Sequence, residues 1–355
     1  MKRILFTTKH PALYINQMCD ILEKEYAIDV VYEKRDDKEK EWKTVNGKDG
    51  LFYDQLTLFS FLQKVFSYDM VIIGGWKTLY GIIAIILSPL FKTKCAVYSD
   101  HPDNESVKHK AYFFKKYLLF KCVDYIFCAT ESTRVFYHEN YGVNYNKLKL
   151  LPYAYNSTCS DQEVVENNQK RKKLLSNPDE KKRLFIASRF IERKGYGVVA
   201  DTFRKMKDAN ILDTFDITIA GSGPLKDTIE KQIKQYSPYI KFVGWIETDE
   251  YINYINNCDI YLHASIQEPF GIPPLDALAR EKLLIVSHGV ESVNGLVQNG
   301  VNGYVYKSTD SDMLFSIFSE ITNSSIYKIG KEGKKVLVKA YNNQVYFNTV
   351  DSCFL

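Results

Sequence analysis

Short apolar runs alternate with longer segments of helical spacing along nearly the whole chain, and this alternation limits the fold more than any other feature. The runs at 4–8, 28–32, 70–73, 95–99, 125–129 and 148–152 are continuous rather than alternating, as strands buried on both faces are. Strands joined through helices lie parallel, with right-handed crossovers. After 152 the pattern stops. The stretch "SDQEVVENNQKRKKLLSNPDEKK" (160–182) is polar and charged, with almost no core residues, and reads as a linker or surface excursion. The alternation then resumes at 184–188, 215–220, 240–243, 260–263, 283–287 and 303–306. A chain of 355 residues suits two domains. The expected layout is a Rossmann-like domain over 1–160, a linker over 161–182, a second Rossmann-like domain over 183–338, and a tail over 339–355 that crosses back to the first. Ligands of doubly wound α/β sheets bind outside the carboxyl ends of the strands, so the cleft between two such halves is the expected site.

Composition narrows the setting. The chain is 45% hydrophobic and 25% charged, as a globular protein is, and a net charge of +4 does not by itself argue for nucleic acid. Seven cysteines are scattered, and none has zinc-finger spacing. The opening "MKRILFTT" has too short an apolar run for a secretory leader and reads as a first buried strand, so the expected setting is a reducing cytoplasm. The longest apolar run, "LYGIIAIILSPLF" (79–91), is too short to span a bilayer and contains a proline.

Three loops carry candidate chemistry. In "FIASRFIERKGYG" (185–197), Arg189 follows a strand and Lys194 precedes a helix. A planar donor fork and a point charge in one loop suit a pyrophosphate, although an ordinary solvated basic loop has the same residues. "ITIAGSGPLKDTIEK" (217–231) is a strand, a turn containing Gly221 and Gly223, and a helix; it lacks the dinucleotide fingerprint and the phosphate-loop Lys-Ser/Thr ending. In "IQEPFGIPPLDALAR" (266–280), proline is tolerated in a first helical turn, so the helix is expected to begin near Pro273. The amides of Phe270, Gly271 and Ile272 then sit at the positive end of the helix dipole, where an anion such as phosphate binds. Glu268 and Asp276 flank that position. Acids accept hydrogen bonds from hydroxyls, so the stretch reads as a holder for a phosphate between two polyols.

Taken in order, Arg189 and Lys194, "AGSGP", "FVGWI" and "EPFGIPPLDALA" resemble the retaining glycosyltransferases of family 4, which have the two-domain GT-B fold. The resemblance covers roughly 183–306; the amino-terminal half fits by alternation and length. It implies that Arg189 and Lys194 hold the donor diphosphate and stabilise it as leaving group. It implies that Glu268 contacts donor-sugar hydroxyls, that the turn of Phe270, Gly271 and Ile272 faces phosphate, and that Asp276 grips the nucleotide ribose. In similar enzymes a histidine in the region of His101 contacts the transferred sugar; a helix-capping loop explains "SDHPDNES" equally well.

Three departures from the family pattern stand out. Asp276 replaces the usual Glu and is one methylene shorter. "TTKHPALY" stands where the family has a glycine-rich turn. "SHGVESVNGLVQNGVNG" (287–303) lacks the usual acid before the helix, with Asn294 nearest that position. Asp310-Ser311-Asp312 fits an Asp-x-Asp metal pattern but is expected to cap the helix that follows. No metal and no cofactor are expected, since Arg189 and Lys194 supply the neutralising charge. His109, His138, His263 and His288 are read as structural or surface residues. The segment 108–121, "KHKAYFFKKYLLFK", interleaves lysines with aromatics. It fits a helix lying on an anionic membrane surface, and equally a helix packing its aromatics on the sheet.

The implied activity is transfer of a sugar, with retention and without a metal, from a nucleotide-diphosphate donor to a hydroxyl of a glycan or lipid-linked acceptor, at the cytoplasmic face of a membrane. The synthesis of a surface polysaccharide or glycoconjugate is the expected setting. A catalytically weak subunit of the same fold, binding nucleotide or glycan for a partner, is the alternative.

Overall fold

A computed structural model describes residues 1–11, 13–34, 50–74, 78–99, 120–155, 160–177 and 179–355. The chain forms two compact units, Met1–Asn156 with Tyr341–Leu355, and Ser157–Ala340.

The first unit is built on seven parallel strands in the order β3-β2-β1-β4-β5-β6-β7. They are β1 (Arg3–Thr8), β2 (Ala27–Tyr32), β3 (Gly50–Phe52), β4 (Met70–Ile73), β5 (Lys94–Ser99), β6 (Tyr125–Cys128) and β7 (Leu148–Leu150). Helices α1 (Leu13–Leu22), α2 (Leu58–Val65), α3 (Leu79–Leu87) and α4 (Glu131–Tyr141) connect them. Capping residues set where three of these helices start. Thr57, Thr78 and Thr130 each accept a backbone N–H three residues on, from Ser60, Gly81 and Thr133. The strands read from the sequence are present, each within two residues at its ends; β3 was not read. It is a three-residue edge strand with no buried residue, too short and too exposed to leave an apolar run.

The second unit repeats the plan with six parallel strands in the order β10-β9-β8-β11-β12-β13. They are β8 (Lys182–Ala187), β9 (Phe215–Ala220), β10 (Lys241–Gly244), β11 (Ile260–His263), β12 (Leu283–Ser287) and β13 (Tyr304–Tyr306). Between and beyond them lie α5 (Asp161–Leu174), α6 (Tyr196–Asp208), α7 (Lys226–Lys234), α8 (Thr248–Asn257), α9 (Pro273–Ala279), α10 (Ser311–Glu320) and α11 (Asn323–Ala340). Phe190, Phe203, Ile219, Leu262 and Ile285 belong to its buried apolar core.

The segment 160–182 differs from the linker expected. Residues Asp161–Leu174 form α5, capped by Ser160, and α5 packs on α8 and α11 within the second unit. Its anchor is polar: Arg171 reaches Asp259, just before β11, with Nε 3.0 and 3.1 Å and Nη2 2.9 Å from the carboxylate oxygens. A helix docked through a buried ion pair leaves no apolar periodicity for sequence reading to detect.

Helix α12 (Asn343–Asp351) belongs to the first unit and packs on α1. The Tyr26 hydroxyl donates to Asp351 at 2.6 Å, and the Tyr346 hydroxyl donates to the Tyr153 carbonyl at 3.2 Å. These bonds hold a tail separated from its partners by most of the sequence.

Candidate functional site

In the second sheet the strand order reverses between β8 and β11, and the loops that follow these two strands border the reversal. A crevice opens at such a point because successive crossovers leave in opposite directions. The β8 loop runs through a single 3-10 turn, Glu192–Lys194, to Gly195 at φ 73°. Ile266 of the β11 loop donates its N–H to the Arg193 carbonyl at 2.7 Å. A side chain at Gly195 would collide with the Ala264 carbonyl, so glycine lets the two loops close up.

This closure brings Lys194 and Glu268 together. Lys194 is only 9% exposed, and its ammonium donates to Glu268 Oε2. The same carboxylate oxygen accepts from the Ser265 hydroxyl at 3.2 Å and lies 3.6 Å from His263 Nε2. Burial alone would raise the Glu268 pKa. The His263 imidazole and the Lys194 charge outweigh it and hold the carboxyl down at about 2. Burial in turn lowers the pKa of His263, disfavouring its charged form. The result is a carboxylate acceptor held ionised beside an ammonium whose own pKa burial lowers against the pull of Glu268, both screened from bulk water.

Neither His263 nor Ser265 was singled out from the sequence as part of this constellation. Their signal was local: two residues apart at the end of a strand, they point to one face, and Glu268 follows three residues on. Arg193 also approaches, with Nη1 4.0 Å from Glu268 Oε1. Arg189 is exposed, two residues beyond the end of β8.

The Gly221–Gly223 turn lies against the Arg189 loop. Phe190 N–H donates to the Ser222 carbonyl at 2.8 Å, Leu225 N–H to the Phe190 carbonyl at 3.1 Å, and Gly221 N–H to the Gly244 carbonyl at 2.7 Å. Gly221 has φ 146°, and a Cβ there would fall on the Ser188 carbonyl oxygen. Gly221→Ala is expected to cost about 3 kcal/mol, from backbone strain plus overpacking, and to lower the urea midpoint of the protein. A midpoint equal to wild type would show that the turn yields freely.

Helix α9 begins at Pro273, as the two prolines suggested. Gly271, at φ 92°, makes the bend before it. The bend is tied to the β12 loop: Ser292 N–H donates to the Phe270 carbonyl at 2.9 Å, and Ser292 Oγ to the Gly271 carbonyl at 2.6 Å. Asp276, in the first turn, accepts from the Tyr251 hydroxyl at 3.1 Å and from Arg280 Nη1 at 3.4 Å. Arg280 is buried and also donates to Asn256 at 2.8 Å. Its place four residues after Asp276 was a readable signal; the Tyr251 contact, from another helix, was not. Glu268 and Asp276 both act on one buried phenol. Burial first, with Asp276 and Glu268 adding to it, pushes the Tyr261 pKa well up.

His101 and most of the 108–121 segment lie outside the described residues. Asp310 caps α10 by accepting from Met313 N–H at 2.9 Å, as expected, and Asp312 pairs with Lys205 at 2.6 Å. Among the described residues no group of His, Cys, Asp and Glu is placed to hold a metal ion, and no helix is long and apolar enough to cross a membrane.

Residues 166–335 match the model of the glycosyl transferases group 1 family. Among solved structures, Anabaena HepE in complex with UDP superposes with a TM-score of 0.72 over 100% of this chain and 99% of that one, at 14% identity. The fold is GT-B. Among curated proteins, alpha-monoglucosyldiacylglycerol synthase of Acholeplasma laidlawii is 24% identical over 210 residues, 59% of this chain and 50% of the relative. An uncharacterized glycosyltransferase of Methanocaldococcus jannaschii is 30% identical over 178 residues, 47% of this chain and 43% of the relative. The chain therefore spans half or less of the curated relatives it matches.

Proposed function

We propose that the chain is a retaining, metal-independent glycosyltransferase that moves a sugar from a nucleotide-diphosphate donor to a hydroxyl of a glycan or lipid-linked acceptor. The observation that carries this reading is the Lys194–Glu268 pair at the reversal point of the second sheet, where a carboxylate held ionised stands beside a buried cation. The carboxylate suits sugar hydroxyls. Lys194, with Arg189 in the same loop, suits a departing diphosphate, whose charge the two cations would neutralise without a metal. The turn amides of Phe270, Gly271 and Ile272 add donors towards phosphate. Asp276, oriented by Tyr251 and Arg280, suits a ribose diol. In this reading Gly221 and Gly223 let the backbone approach the donor, and His101 touches the transferred sugar. Similarity to a protein solved with UDP supports a uridine nucleotide as the first donor to try. Similarity to a glycolipid synthase supports a lipid acceptor and a peripheral place at the cytoplasmic face of a membrane, in glycoconjugate synthesis.

The test separates the two acids. Glu268→Gln is expected to lower kcat by one to two orders of magnitude, roughly, and to leave affinity for free nucleoside diphosphate nearly unchanged. Asp276→Asn is expected to weaken that affinity by about 1–3 kcal/mol, the scale of a lost partner in a buried site. Isothermal titration with UDP decides it: equal losses in both variants would refute the division of sugar from ribose.

A further inference from the structure

Helix α3 and the single 3-10 turn that follows it, Ser88–Leu90, present an outer face with no polar side chain. The inner face of this segment is buried through Gly81, Ala84, Ile85 and Ser88. At 100° per residue the opposite face consists of Leu79, Ile82, Ile83, Ile86, Leu87 and Leu90. The four middle residues are partly exposed, Ile82 and Ile86 while also packing against the core of the first unit, and the two at the ends stand out strongly, Leu79 at 67% and Leu90 at 77%. A helix on the surface of an α/β unit ordinarily carries charges on its outer side. Phe59, at the start of the neighbouring helix α2, is also exposed.

The carboxyl end of this face adds a second element. Phe91 follows Leu90, half exposed and stacked on Phe66 with ring centroids 3.7 Å apart. Lys92 comes next and is exposed. An apolar stripe too short to cross a bilayer, ending in an exposed aromatic and a cation, has the chemistry of a helix that lies flat in the interface of an anionic membrane. A second copy of the chain suits it less, since like cations would be drawn towards one another.

We propose that the outer face of 79–91 inserts into the surface of an anionic lipid bilayer and seats the first unit there. The inference rests on the peripheral-membrane part of the proposed function and is independent of the donor chemistry. It assigns the contact to a different segment from 108–121.

The experiment is flotation of the full chain with vesicles of phosphatidylglycerol and phosphatidylcholine, against phosphatidylcholine alone, at low and high salt. Leu79→Glu/Leu90→Glu alters two strongly exposed side chains, so its circular dichroism and urea midpoint should match wild type. The expected result is preferential binding of wild type to the anionic vesicles, a fraction of which survives high salt, and a loss of at least tenfold in the double variant. Equal binding by variant and wild type would overturn the proposal. So would complete release by salt, which means adsorption through lysines alone, or a wild-type dimer that the variant dissociates without any lipid binding. UDP titration on the same samples reads the donor site separately: normal UDP affinity with no flotation removes this inference and leaves the transferase reading intact.

Discussion

Asp259→Ala is expected to destabilise the second unit by about 3 kcal/mol, the low end of the scale for breaking a buried ion pair, since Arg171 keeps Glu180 as a second partner. Asp259 is 2% exposed and Arg171 5%. The carboxylate takes three bonds from the guanidinium, one from the Arg183 N–H at 2.8 Å and one from the Tyr327 hydroxyl at 3.5 Å. It therefore joins α5, strand β8 and helix α11 at one point. Without it, Arg171 retains Glu180 and the Lys181 carbonyl, and the Arg183 amide loses its acceptor. Amide hydrogen exchange of β8 reports the opening of this unit directly, because each 1.4 kcal/mol lost speeds exchange about tenfold. Arg171→Met should cost a similar amount, since it strands the carboxylate instead. Arg171→Met/Asp259→Leu should recover much of the loss, because two apolar side chains carry no desolvation penalty. Exchange within tenfold of wild type in both single variants would show that the pair is solvated and contributes little.

This network also explains what the sequence did not disclose. The parallel sheets were legible because strands buried on both faces must be apolar throughout, and 260–263 or 283–287 have no other reading in an alternating chain. Helix α5 was not legible. It meets its unit through Arg171 and Asn168, with Val164 its buried apolar residue, so its composition is that of a solvated segment. Edge strand β3 was lost for a related reason, having nothing to bury. At the site, Glu268 and the proline start of α9 were visible from spacing alone. The contact of Lys194 with Glu268 was not, since it depends on how closely the β8 and β11 loops approach, and that is set by Gly195 and the Ile266–Arg193 bond. The part of Tyr251 was likewise invisible, because it arrives from another helix.

Lys194→Ala is expected to lower donor turnover by roughly two to three orders of magnitude, the scale of removing a charged group that stabilises a transition state. The same change has a second, separable effect. In the wild type, burial pushes the Glu268 carboxyl up, while His263 and Lys194 hold it down at about 2. A folded-state pKa below the ordinary value adds stability that is present above the unfolded pKa and lost as pH falls through about 2. Glu268 is therefore ionised throughout any working range, and its protonation sets no acid limb there. Without Lys194, burial is opposed chiefly by His263, with the Ser265 hydroxyl and the more distant Arg193 adding to it, so the pKa climbs and an acid limb should enter the rate profile from below. Arg189→Ala makes the contrast. Arg189 is exposed after β8, so it should lose turnover to a similar extent without moving any acid limb. The measurement is kcat/KM against pH for wild type and both variants, with the nucleotide sugar that gives the largest thermal shift as donor. A rate loss in Lys194→Ala with an unchanged profile would mean that Lys194 serves the diphosphate but does not keep Glu268 ionised. Near wild-type rates in both variants, with folding intact, would remove the diphosphate clamp and with it the assignment of this loop to the leaving group.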